Sequence, residues 1–103
     1  MHVVFFLNRI HDHVSREAYE EWVRTVDYPT ARSIPSIIEY TVTRVEGSLE
    51  EEREVPYDYI ERVVITDLEA YRRDLQKPEL EDFARQWNSY VATSVAIYGT
   101  AIS

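Results

Sequence analysis

At 103 residues, with 19 acidic against 11 basic side chains, a formal charge of −8 and no cysteine, the chain has room for one domain and one hydrophobic core. It offers no basic footprint for nucleic acid or an anionic membrane surface, and no thiol for a disulfide framework or a thiolate metal site. Its 45% hydrophobic residues exclude a disordered chain. No apolar run approaches the length of a membrane span, and the opening MHVVFFLNRI lacks the basic region and small-residue cleavage site of a signal peptide, so the expected location is the cytosol.

Residues 2–10 (HVVFFLNRI) are rich in β-branched and aromatic side chains without a helical stripe, which predicts a strand. Ser15 is a good N-cap, and Ala18, Trp22, Val23 and Val26 share one face of the helix that follows it. Pro29 disfavours helical geometry at Tyr28, so that helix is expected to end or kink near Asp27, with an irregular stretch to Pro35. Residues 36–46 and 57–66 read as two further strands. The acidic segment 46–54 (EGSLEEERE) joins them as a solvated hairpin loop.

Thr66 and Glu69 have capping-box spacing ahead of Leu68, Tyr71 and Leu75, and Pro78 suits the first turn of another helix that places Leu80, Phe83, Ala84 and Trp87 on one side. Residues 91–103 form the last strand. The order is β-α-β-β-α-β, an α+β, ferredoxin-like arrangement in one domain spanning residues 1–103, with a four-stranded antiparallel sheet and helices on one face. An antiparallel sheet with one wet face alternates apolar and polar residues. Val3 to Leu7 and Val63 to Ile65 are instead continuously apolar, so both faces of those strands require burial. Two short helical segments cover one face, and a second copy of the sheet is the simplest cover for the other, which predicts a homodimer.

Alternation puts His2, Val4, Phe6 and Asn8 on one side of the first strand, and Tyr57, Tyr59, Glu61 and Val63 on one side of the third. If these sides face the helices, His2, Tyr59 and Glu61 meet Asp27 and Tyr28 near the helix-one break, and Tyr98 closes the same cavity. With Phe6 and Trp22 as aromatic walls, such a cavity suits a small aromatic molecule, and its polar groups suit proton transfer. Plainer roles stand beside these: His2 as a terminal strand residue, Asp27 as a helix terminator, and Glu61 as the partner of Arg32, Arg44 or Arg62. His11-Asp12-His13 lacks the third and fourth ligands of a metal site and reads as a hydrated turn. No GxGxxG, P-loop or GxSxG motif is present, so nucleotide binding and a serine-hydrolase elbow have no support.

The element order, the first-strand His and the helix-one Trp resemble the dimeric α/β-barrel superfamily. Within it, residues 20–37 (EEWVRTVDYPTARSIPSI), residues 57–66 (YDYIERVVIT) and residues 77–83 (KPELEDF) resemble the RedY-like proteins of prodigiosin-type tripyrrole pigment pathways. The resemblance covers nearly the whole chain. It implies a homodimer working without a cofactor on a pyrrolic or other aromatic intermediate. Plant-type polyketide cyclases of the superfamily use two histidines. His2 matches the first, and Leu80 replaces the second, which argues against an identical aldol cyclase mechanism. Stress-responsive and EthD-like members often carry a His shortly after the helix-one Trp, where Asp27 and Tyr28 stand here. The resemblance therefore points to Asp27 as the base, with His2 or Tyr59 as its proton partner, while the cavity read from the strand alternation gives Phe6, Trp22, Tyr28, Glu61 and Tyr98 as substrate contacts. Three functions follow: an acid–base condensing, cyclising or isomerising enzyme; a non-catalytic protein that shields or delivers a hydrophobic intermediate; and a dimer docking onto a larger enzyme through the acidic loop.

Overall fold

A computed structural model describes residues 1–103. Strand β1 runs from His2 to Ile10, β2 from Ile37 to Arg44, β3 from Tyr59 to Ile65 and β4 from Val91 to Thr100. They form one antiparallel sheet in the order β2-β3-β1-β4. This is the predicted ferredoxin-like α+β fold, with the two strands of continuous apolar sequence at its centre. The register sets Phe6 of β1 opposite Glu61 of β3, and Glu61 opposite Val42 of β2. A bulge at Ile38 turns Tyr40 onto the same face as Val63.

The first helical stretch departs from expectation. Helix α1 spans Arg16–Trp22 with Ser15 as N-cap, a π-helical segment follows at Val23–Asp27, and α2 continues through Tyr28–Arg32. Pro29 therefore does not end the helix. It sits in the first turn of α2, where a missing N–H is best tolerated, after the segment in which Tyr28 N–H reaches back five residues to Val23 O. The buried face also differs from the predicted stripe. Tyr19, Trp22, Val23, Asp27 and Ala31 are buried, whereas Ala18 is exposed and Val26 half-buried. At 3.6 residues per turn, Asp27 would stand about 80° round the helix from Tyr19. The wider π turn takes up that rotation and returns Asp27 and Ala31 to the inward face.

Helix α3 (Leu68–Leu75) is capped by Asp67, which accepts from Ala70 N–H, and not by the predicted Thr66. A 3₁₀ turn at Pro78–Leu80 leads into α4 (Glu81–Tyr90). Asp74 staples α3 to the start of β2 by accepting from Ser36 N–H at 3.0 Å and pairing with Lys77, and these bonds hold its carboxyl below the usual range.

Two core clusters share one face of the sheet. One gathers Tyr19, Trp22 and Val23 with Ile10, Tyr59 and Val91, and the other gathers Tyr71 with Val4, Val63 and Ile65. The opposite face presents Phe5, Leu7 and Ile60 half-buried, with Val95 and Ile97 about half exposed. None of these side chains belongs to either core cluster.

Candidate active site

A cavity of about 320 Å³ opens between the two clusters. Phe6, Tyr40 and Glu61 form its floor on the sheet. Asp27, Ala31 and Ile34 come from the first helical stretch and its end, Tyr71 and Leu75 from α3, and Leu80, Phe83, Ala84 and Trp87 from the turn and α4. The predicted apolar side of the last helix therefore faces the cavity. Eleven of its fourteen lining residues are hydrophobic, so the polar groups among them are few and deeply set.

Asp27 and Glu61 are 2% and 5% exposed, and Tyr40 joins them. Its hydroxyl lies 2.7 Å from Asp27 Oδ2 and within hydrogen-bond distance of Glu61 Oε1. A phenol has one proton to give. Two such contacts need two protons, so the arrangement is satisfied when one carboxyl is itself protonated and donates to Tyr40. Electrostatics agree. Burial and then the neighbouring Glu61 charge push Asp27 up to about 7, against the pull of the Tyr40 hydrogen bond. Burial likewise raises Glu61, although Tyr40, Asn8 and Trp87 pull the other way. Tyr40 is pushed far above the ordinary phenol value, first by burial and then by the two carboxyls, and stays protonated.

The two acids have different freedom. Both Glu61 oxygens are engaged, Oε1 by Tyr40 and Oε2 by Asn8 Nδ2, and Asn8 is oriented by accepting from Ser94 Oγ. Only Oδ2 of Asp27 is engaged, by Tyr40. Its Oδ1 makes no hydrogen bond within the chain and is not among the sealed-off polar atoms, so it is open to a molecule in the cavity. The expected arginine partner of Glu61 is absent: Arg44 pairs with Glu20, and Arg62 with Glu39.

Phe6, Asp27 and Glu61 meet in the cavity, and the other predicted site residues lie around it. Tyr28 packs edge-on against Tyr40 at 5.7 Å and accepts from Val42 N–H. Trp22 stacks on Phe83 behind the cavity wall and donates to Gln86. Tyr59 is buried against Tyr19 and donates to Glu20 at 2.6 Å; burial, then that bond, push its phenol up to about 12. His2 stacks on Tyr98 with Nδ1 3.0 Å from the hydroxyl, four residues along β1 from Phe6 or about 13 Å. The cavity thus does not bring His2, Tyr59 and Tyr98 to Asp27. Tyr40 takes the bridging place, and the strand alternation that placed Glu61 inward carried a signal for it once the bulge at Ile38 is counted.

Fold and site together define a ferredoxin-like α+β protein with a proton-sharing carboxyl pair buried at the end of an apolar cavity. The family model of the REDY-like protein HapK matches residues 2–102, and the chain belongs to that family. The crystal structure of HapK from Hahella chejuensis superposes with a TM-score of 0.83 at 26% identity, covering 99% of this chain and 93% of that one. A dimeric ferredoxin-like protein of unknown function from Thermobifida fusca gives 0.72 at 18% identity over 97% and 90% of the two chains. SnoaB from Streptomyces nogalater, a cofactor-independent oxygenase, gives 0.70 at 24% identity over 100% and 96%. No curated protein sequence matches.

Proposed function

We propose that the protein is a cofactor-independent acid–base catalyst that condenses, cyclises or isomerises a pyrrolic or related aromatic intermediate of prodigiosin-type secondary metabolism. The observation that carries this reading is the carboxyl pair: Asp27, poised near neutral pH with Oδ1 free, faces an apolar, aromatic-walled cavity of small-molecule size. Asp27 takes or returns the proton at the reacting atom. Tyr40 and Glu61 hold the second proton and orient Asp27, and Phe6, Phe83 and Trp87 pack on the ring. That SnoaB works without a cofactor on the same fold supports the reading as analogy only. Incubating the purified protein with pyrrolic aldehydes and pyrroles, and following them by mass spectrometry, tests it. Product formed by the protein alone supports catalysis, and binding without product supports the shielding role. Ala84→Trp fills the cavity from α4 and is expected to abolish binding as well as turnover; retained binding would move the site elsewhere.

The protein works as a homodimer in this reading, with the face of Phe5, Leu7, Val95 and Ile97 against its counterpart. Apolar side chains left about half exposed on that face favour that arrangement. Ile97→Asp places a charge on that face and is expected to shift the protein from dimer to monomer in analytical ultracentrifugation. An unchanged sedimentation profile at micromolar concentration would remove this face as the interface.

A further inference from the structure

The cavity contains two carboxyl side chains and no cationic one. Apart from Asp27, Glu61, Tyr40 and Asn88, its lining is apolar or aromatic, and no lysine, arginine or histidine reaches it. The Tyr40 geometry is satisfied by one proton held on the carboxyl pair, which leaves the pair with a single negative charge. A ligand that brings its own positive charge pairs with the remaining carboxylate and, by doing so, favours loss of the shared proton. A ligand bringing negative charge meets the same carboxyls in a low-dielectric site. The walls act in the same direction, because the ring faces of Tyr40, Phe83 and Trp87 attract cations.

We propose that the cavity selects planar aromatic nitrogen cations, of the amidinium or iminium type, over neutral and anionic molecules of the same shape, and that it releases a proton on binding them. This rests on the cavity being the working site, as proposed above. Every element packed on the pair supports the assignment of the released proton. Tyr19 from α1, Tyr40 from β2 and Tyr71 from α3 face the carboxyls as phenols raised well above their ordinary values, so they stay neutral. Strand β1 and helix α4 contribute Phe6, Asn8 and Trp87, none of which titrates. Between pH 6 and 8 the carboxyl pair is therefore the group that exchanges protons.

Isothermal titration of the intact protein with benzamidinium, benzamide and benzoate tests this. At pH 8 benzamidinium is expected to bind about tenfold or more tightly than benzamide, with benzoate not binding. The preference should shrink at pH 5.5, where Asp27 holds its proton, and titrations in phosphate and Tris at pH 7 should report a proton released. Asp27→Asn and Glu61→Gln should each reduce the preference, while the wild-type series decides the question should either variant fold poorly. Benzamide binding as tightly as benzamidinium, with no buffer dependence, overturns the charge selectivity and leaves the proposed function standing. Failure of all three probes overturns both.

Discussion

Asp27→Asn is expected to slow turnover steeply and yet to make the protein more stable at pH 8. A general base contributes about 10²–10⁴-fold, so the rate loss should fall in that range. The stability gain follows from linkage. The Asp27 carboxyl moves from its ordinary 3.8 up to about 7 on folding, so between those values the native state binds more protons than the unfolded chain. Its contribution is therefore fully present below about pH 4 and is lost as pH rises through 7. Asparagine carries no charge at any pH and escapes that loss. We expect the variant to exceed wild type by on the order of 2 kcal/mol at pH 8, or about 10 °C in melting temperature for a domain of this size. The difference should vanish near pH 4. Melting curves across pH 4–9 check it: a variant less stable than wild type at pH 8 would show that the carboxylate is stabilised in the fold.

Tyr40→Phe should act in the opposite direction. It keeps the ring that Tyr28 buttresses and removes only the hydroxyl between the two acids. Asp27 Oδ2 and Glu61 Oε1 then lose their shared partner inside a buried site, at a cost of roughly 2–4 kcal/mol for the two groups together. With no phenol to separate them, the carboxyls repel more strongly, so the proton they share is held to higher pH. The variant should be least stable, relative to wild type, on the alkaline side. Its rate profile should keep its shape while its neutral limb moves upward by about one pH unit. A fall in rate without movement of that limb would mean that the hydroxyl contacts substrate and does not tune Asp27.

Much of the architecture was legible because β1 and the Leu80, Phe83, Ala84 and Trp87 face follow simple periodicities. The first strand matches its expected bounds, and all four of those side chains line the cavity. The site was legible in part. Asp27, Glu61 and Phe6 stand out as two carboxyls and a ring pointing toward one interior. Tyr40 did not, because the bulge at Ile38 breaks the alternation by which β2 is read. Asn8 looked like one polar residue at a strand end, and its value lies in orienting a carboxylate on the neighbouring strand. Tyr59 and His2 obey the alternation and face the helical side. Distance along the strands separates them from Asp27, and periodicity carries no information about that. The arginine expected for Glu61 was unnecessary because a phenol, an amide and a shared proton do the same work.

The π-helical segment has a consequence for which side chain the scaffold presents to the cavity. A π-helical turn holds about one residue more than an α-helical turn, and that extra residue decides which side chain looks into the cavity. A relative lacking it would run as plain α-helix through the same span and present the neighbour of Asp27, or a wall residue, to the interior. A one-position gap between Val23 and Asp27 in a comparison of such chains would then mark an exchange of reactive group, with the fold around it unchanged. Single-residue insertions in one helix thus offer this scaffold a short route from one chemistry to another.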